Sequence, residues 1–286
     1  MKTAIVTDTN SGIFPAEGEA LGIYVLPMPV IVDGQAYYEG EDLSTGQFYR
    51  YLADKREVST SQPVLGDILH LWDRVLEIYE ELVYIPMSSG LSSSCQTALG
   101  LALEYGGRVQ VVDNHRISLS QKVSVLDARA LANAGCTALE IKEELERTAY
   151  DSIIYIGVET LEYLRRSGRV TAAGAALGTI LSLKPLLKIE GERLDAYTKV
   201  RGTENCKKEL ITAIQESIEI FCSRGWNISV GVADSFPEVV NGSDWLAKAT
   251  RTLGRSDIEY VPLSCSIASH VGPNAFGMAV SRKIAT

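Results

Sequence analysis

At 286 residues, 46% of them hydrophobic, the chain is long enough for one large globular domain or two of ordinary size with a real core. No apolar run reaches the length of about eighteen residues that a membrane-spanning helix needs. The formal charge of −9, with no basic block and no aromatic residues interleaved with basic ones, argues against nucleic acid or an anionic membrane as the main partner.

The start, Met-Lys-Thr-Ala-Ile-Val-Thr-Asp, runs straight into a strand pattern instead of an apolar leader, so a cytoplasmic location is expected. Cys95, Cys136, Cys206, Cys222 and Cys265 are scattered and form no Cys-x-x-Cys pair. Reduced thiols are therefore expected, with neither a disulfide framework nor a zinc site.

Thr3 to Val6 predict a strand ending in the polar turn Asp8-Thr9-Asn10-Ser11-Gly12, and Pro15 suits the first turn of a helix running to about Leu21. Tyr24 to Leu26 give a second short strand. Pro27 and Pro29 exclude a central strand for the residues that follow, and Val30 to Tyr38 predict two strands around Asp33-Gly34, as a hairpin or bent edge. Ser44 caps a helix carrying Phe48, Tyr49 and Leu52, and Ser59-Thr60-Ser61-Gln62-Pro63 reads as a loop. From Leu65 to Tyr79 an apolar stripe at 3.6-residue spacing predicts a core-packed helix, with His70 beside it as a structural histidine.

Leu82 to Ile85 predict a strand, and Met87 to Ala98 place hydroxyls and a glycine in the turn before a helix. Such a turn offers free N–H groups and a positive dipole end to a phosphate or carboxylate, although Ser92 to Ser94 also suit plain helix caps. Arg108 to Val112 form a further strand, ending in Asp113-Asn114-His115 before a helix that continues through Ala134. Strand, polar turn and helix thus recur three times, which implies parallel strands with Asp8, Ser88 to Ser94 and Asp113 on one carboxyl edge. His115 is on that edge and reads as a solvated loop histidine.

Thr137-Ala-Leu-Glu140 fits a capping box opening a helix that closes near Tyr150. Ser152 to Val158 is a strongly apolar strand, and the texture changes there, so two domains are expected, 1–152 and 153–286. Arg165, Arg166 and Arg169 gather around Gly168, and Ala172 to Leu183 predict a small-residue helix. A hairpin-like pair follows around Glu190-Gly191-Glu192, then a basic turn at Lys199-Val-Arg201-Gly202, a helix to about Ser223 and a strand from Asn227 to Ala233. Ile258 to Val261 and Ala275 to Val280 are strand-like, and His270 falls in the glycine and proline turn between them.

Several chemistries can be weighed on these pieces. Ser92 with His270 and Asp8 or Asp113 would make a hydrolase triad, but Ser94 stands where the elbow Gly-x-Ser-x-Gly needs its second glycine. Asp8 as a phosphoryl acceptor lacks the general acid two residues on, where Asn10 stands. No Walker loop and no Gly-x-Gly-x-x-Gly occurs. What remains, hydroxyls, an imidazole and an aliphatic core, suits a binding protein for an amphiphile, with no catalytic residue required.

The ordered motifs resemble the DegV family, the bacterial fatty acid-binding proteins that include the B subunits of fatty acid kinase. They are Ile-Val-Thr-Asp8, Leu-Pro-Met-Pro-Val, Tyr-Tyr-Glu-Gly, Thr60-Ser61-Gln62-Pro63 and Ser88-Ser-Gly-Leu-Ser92 with Gln96-Thr-Ala. Further on come Thr160-Leu-Glu-Tyr-Leu-Arg-Arg-Ser-Gly168-Arg169-Val170, Leu183-Lys-Pro-Leu, Lys199-Val-Arg201-Gly202 and His270-Val-Gly272-Pro273, so the resemblance runs nearly end to end. It implies two α/β domains, the N-terminal one with a mainly parallel sheet and the C-terminal one with a mixed sheet, enclosing a long-chain fatty acid. The implied carboxylate ligands are Thr60 or Ser61, Ser92 with the N–H groups of Ser93 and Ser94, and His270. No cofactor is implied. The implied partner is a separate fatty acid kinase, which makes an acyl phosphate from the presented carboxylate, and Arg169 and Arg201 are the candidates for meeting it or the phosphate. The alternatives are a small-molecule hydrolase or phosphoryl-transfer enzyme on the same loop edge, and a lipid sensor without a kinase.

This sequence departs from the family pattern in three places. Ser93-Ser94-Cys95 replaces Gly-Thr-Tyr, Asn274 replaces glycine after Pro273, and Asn114-His115-Arg116 replaces smaller residues.

Overall fold

The computed structural model describes residues 2–176, 183–191 and 193–284. The chain opens as β1 (Thr3–Asp8), α1 (Pro15–Leu21) and β2 (Tyr24–Leu26). Then come β3 (Pro29–Val32), β4 (Gln35–Tyr38), α2 (Thr45–Ala53) and β5 (Val58–Thr60). Pro15 occupies the first turn of α1, and Ser44 and Gln47 close a reciprocal capping box at α2. The Asp33-Gly34 hairpin forms as expected, with both residues at positive φ.

The exclusion of a central strand does not hold, because β3 lies between β4 and β5 in a three-stranded antiparallel sheet. Pro29 is the first residue of β3, where its missing N–H costs the ladder little. For the same reason Ser59 and Thr60 are not loop: they finish the short strand β5, pairing with Ile31 and Val30.

Helix α3 (Leu65–Leu76) leads to β6 (Glu81–Ile85), α4 (Ser94–Ala102), β7 (Val109–Val111), α5 (Leu119–Asn133) and α6 (Ala138–Arg147). Strands β2, β1, β6 and β7 form a parallel sheet in that order, as strand-helix repetition requires. Trp72 of α3, fully buried, meets Tyr84 of β6 edge-on at 5.7 Å on one face, while α5 and α6 bring Val125, Ala128 and Ile141 to the other.

Beyond these lie β8 (Ser152–Gly157), α7 (Glu162–Ser167), α8 (Ala172–Ala176), β9 (Leu183–Ile189) and β10 (Asp195–Arg201). The chain finishes with α9 (Thr203–Ser223), β11 (Ile228–Asp234), α10 (Val239–Leu253), β12 (Glu259–Tyr260), α11 (Cys265–Val271) and β13 (Phe276–Arg282). Six strands order as β10-β9-β8-β13-β11-β12, with β11 and β12 parallel and every other neighbour antiparallel. This is the expected mixed sheet. The expected helix from Ala172 to Leu183 is present as α8 up to Ala176, and its stretch 177–182 lies outside the described residues, as does Glu192 of the hairpin turn. Lys199 to Arg201 are not a turn but the end of edge strand β10.

Helices α9 and α10 cover one face of the mixed sheet, with Trp245 and Phe276 in edge contact at 5.6 Å. Helix α5 touches β1 and β6 of the parallel sheet and also β8, β11 and β13 of the mixed one, so it is the spacer between the two. Lys122 on α5 reinforces that arrangement with ion pairs to Glu17 of α1 at 2.8 Å and Glu259 of β12 at 2.9 Å. The layering leaves a gap beside α5, which α11 and the three-stranded sheet close.

Candidate functional site

That gap is a cavity of about 310 Å³, the low end of the range for small-molecule sites. Most of its wall is aliphatic, with Ile117 and Leu119 at the start of α5, Ile154 and Ile156 of β8, and Ile189 and Leu194 around the β9–β10 turn. Its polar lining comes from Thr60 to Gln62 after β5, Ser92 and Ser93 before α4, Ser118 before α5, Arg169 after α7, and Ser266 and His270 on α11.

Helix α11 corrects the expectation that His270 sits in a loop. Its first turn is held by Ser264, whose Oγ accepts from the Ile267 N–H at 3.2 Å and donates to Asn10 Oδ1 at 2.9 Å. The Cys265 N–H donates to Glu39 Oε2 at 2.6 Å, and at the far end the Ser235 hydroxyl donates to the Gly272 carbonyl at 2.6 Å. Thus the first half of the chain, through Asn10 and Glu39, fixes the start of α11, and the second half, through Ser235, fixes the end that carries His270. Gly272 has φ +78°, and a Cβ there would fall 2.5 Å from the Tyr163 ring, so the helix stops at a residue only glycine fills.

His270 Nε2 and Thr60 Oγ1 are 2.8 Å apart. Burial, with Arg169 and Arg166 nearby, pulls the imidazole down to about 4, so it is neutral at physiological pH. Gln62, a residue of the same segment as Thr60, accepts at Oε1 from Thr97 Oγ1 at 2.9 Å and from Ser93 Oγ at 3.4 Å, which ties that segment to the serine turn. Thr60, Ser61, Ser92, Ser93 and His270, separated by up to 210 positions, therefore share one wall of the cavity. Sequence reasoning passed over Gln62, although the Thr-Ser-Gln-Pro motif contains it.

In the serine turn, Ser92 Oγ accepts from the Ser94 N–H at 3.2 Å, so that N–H is already used and is not one of the free donors expected. The Ser93 N–H has no partner among the described residues. Ser93 has φ −75° and ψ −6°, ordinary for any L residue, so its Cβ forces no backbone change where the family has glycine. Cys95 is fully buried against the parallel sheet, and Asn274 takes the left-handed conformation with φ +63°.

Of the two arginines, Arg169 lines the cavity, its Nε donating to the Leu91 carbonyl at 3.4 Å and its Nη1 to the Ser167 carbonyl. Arg201 does not. It is exposed at the end of β10, on the edge of the mixed sheet.

The carboxylates weighed for catalysis are otherwise engaged. Asp8 is fully buried and accepts from the N–H groups of Met87 (2.9 Å) and Asn10 (3.0 Å) and from Gln121 Nε2 (3.2 Å). Burial raises it to about 6 against those three hydrogen bonds. It locks the loop after β1 to the loop after β6. Asp113 accepts from the Ser89 N–H at 3.2 Å, and His115 stacks on Tyr150 at 5.2 Å instead of standing in solvent. His70 is exposed on α3. No group of metal-ligating side chains occurs among the described residues.

Ser118, which sequence reasoning did not single out, precedes α5 with φ 53° and ψ −132°, a strained conformation for a residue with a Cβ. Its N–H donates to the Asn10 carbonyl at 2.9 Å, which holds the turn, and its hydroxyl is sealed without a partner.

A family model described as "Uncharacterised protein, DegV family" matches residues 2–283. A DegV domain-containing protein of Deinococcus radiodurans is 33% identical over 98% of both chains. Among solved structures, a DegV family protein from Thermus thermophilus, described by its fatty acid binding, matches with a TM-score of 0.87 at 29% identity. It covers 99% of this chain and 100% of its own. A fatty acid-binding DegV family protein from Streptococcus agalactiae matches with a TM-score of 0.85 at 26% identity over 99% of each chain.

Proposed function

This chain belongs to the DegV family, and we propose that it binds a long-chain fatty acid and presents the carboxylate to a separate kinase, which forms the acyl phosphate. The observation that carries the reading is the cavity itself: a largely aliphatic space in which hydroxyls and a neutral imidazole come together. The relatives described as fatty acid-binding proteins support it.

In this reading Thr60, Ser92 and the Ser93 N–H donate to the carboxylate, and Ser61, whose hydroxyl donates to the Gln62 carbonyl at 3.0 Å in this structure, turns to join them. His270 in the tautomer with hydrogen on Nε2 donates to Thr60 Oγ1, which turns the threonine proton toward the ligand. A neutral imidazole adds no charge of its own, so the positive field at the head group comes from Arg169 and the start of α4. Arg201, outside the cavity on an exposed edge, suits the kinase or the phosphate rather than the carboxylate. No catalytic group and no cofactor is assigned to the chain; the bound acid is its only small molecule. The units that enclose it are 1–152 and 153–286, and the setting is the cytoplasm.

Native mass spectrometry of the protein loaded with oleate or palmitate tests the proposal. One bound acid per chain, weakened in T60V and H270A, is expected. Protein that takes up neither acid after delipidation and reloading would overturn it.

A further inference from the structure

Ser266 stands one helical turn before His270 on α11, so the two side chains share a face, with their backbones about 6 Å apart along the axis. Ser266 is 6% exposed and lines the cavity. Among the described residues its hydroxyl has no hydrogen-bond partner. The neighbouring serines of the same helix are both used: Ser264 caps the first turn, and the Ser269 hydroxyl donates to the Cys265 carbonyl at 2.7 Å. Ser118 also lines the cavity, but its unpartnered hydroxyl is fully buried, whereas that of Ser266 is not, and the space Ser266 opens on is the cavity.

A serine in an aliphatic tube is costly when dry, because a buried hydroxyl without a partner forfeits its hydration. A plain alkyl chain running past Ser266 would leave it in that state. An acyl chain with an oxygen near its carboxylate end would satisfy it, as a donor to an oxo group or as donor or acceptor with a hydroxyl. We infer that Ser266 makes this cavity selective for fatty acids oxygenated close to the carboxylate, a refinement that rests on the fatty acid reading above. The arrangement has one polar anchor for the carboxylate around Thr60 and His270 and a second, one helical turn along α11, for the chain oxygen.

The test compares binding of palmitate, 3-hydroxypalmitate and 12-hydroxystearate to delipidated wild-type protein, S266A and S118A by isothermal titration calorimetry. The wild type is expected to hold 3-hydroxypalmitate about five- to tenfold more tightly than palmitate, the worth of one hydrogen bond made in place of an unpaired hydroxyl. S266A should lose that preference by binding palmitate more tightly than the wild type does, since the unpaired hydroxyl is gone, and S118A should keep the preference. Alanine is a good helix former, so S266A does not threaten α11. Equal affinity of the wild type for palmitate and 3-hydroxypalmitate would overturn the inference and leave the fatty acid reading intact. A preference that survives in S266A, or is as large for 12-hydroxystearate, would also overturn it. Binding of none of the three acids would overturn the fatty acid reading itself.

Discussion

Replacing His270 by glutamine should change how stability depends on pH, because the folded protein resists protonating this imidazole and the unfolded chain does not. The unfolded value is 6.5, and burial with Arg169 and Arg166 pulls the folded one to about 4. Between these values the unfolded state binds more protons, so the contribution is fully present above pH 6.5 and is lost as the pH falls toward 4. At about 1.4 kcal/mol for each factor of ten in proton affinity, the whole window amounts to about 3 kcal/mol, of which about 2 kcal/mol is gone by pH 5. Asp8 acts in the opposite sense, since its folded value is raised from 3.8 to about 6 and its contribution is lost as the pH rises through that range. That term is common to wild type and H270Q and cancels in their difference. The assay is urea denaturation of delipidated wild type and H270Q at pH 7.5, 6, 5 and 4. The stability of the wild type relative to H270Q should fall by about 2 kcal/mol between pH 7.5 and 5. A difference that stays constant, or that grows on acidification, would refute the account of His270 as a neutral, desolvated imidazole.

Three further outcomes follow from the same geometry. T60V should weaken fatty acid binding by about ten- to a hundredfold, the worth of a hydrogen bond to a charged group, without abolishing it; each buried methylene still contributes about 0.8 kcal/mol, and equilibrium binding of palmitate measures the loss. K122A removes the two ion pairs that join α1 and β12 through α5; because Glu17 and Glu259 are partly exposed, a loss of only about 1–2 kcal/mol is expected in urea denaturation. G272A forces a Cβ to within 2.5 Å of the Tyr163 ring at φ +78°, and should cost more than about 1 kcal/mol and lower thermal stability, whereas G254A, at φ +64° but with open space around it, should cost about 1 kcal/mol.

Where local chemistry decided the structure, the sequence was readable. The capping boxes at Ser44 and Thr137, Pro15 in the first turn of α1 and the Asp33-Gly34 turn each stand on two or three adjacent residues, and each formed as expected. The alternation of strand and helix in the first half similarly constrained the parallel sheet. What local reading could not supply was pairing across distance. Pro29 argued against a central strand, yet β3 accepts partners on both sides because the proline stands at its first position and β5 returns to pair Ser59 with Ile31 and Thr60 with Val30, 28 and 30 positions apart. The order of the mixed sheet, in which β13 enters between β8 and β11, has no local signature at all.

The site divides in the same way. Hydroxyl-rich turns marked Thr60, Ser61, Ser92 and Ser93, but their meeting depends on contacts such as Thr60 with His270 and Gln62 with Ser93. His270 read as loop because Cys265 to Val271 holds two serines, a cysteine and a valine, poor helix formers, and only the Ser264 cap announces a helix. Arg201, grouped with Arg169 by composition, is set apart by its place on the edge strand. Ser118 and Ser266 gave no signal, since an unpartnered hydroxyl is a property of the fold and not of the residue type.

The central claim is that the cavity wall formed by Thr60, Ser92 and His270 receives a carboxylate with its chain in the tube beside α5. A crystal structure of the protein loaded with oleate tests it most directly. The account predicts curved density between the parallel and mixed sheets, ending in a carboxylate within hydrogen-bond distance of Thr60 Oγ1 and the Ser93 N–H. Density for the acid elsewhere, or a chain reversed so that its methyl end meets Thr60 and His270, would contradict it.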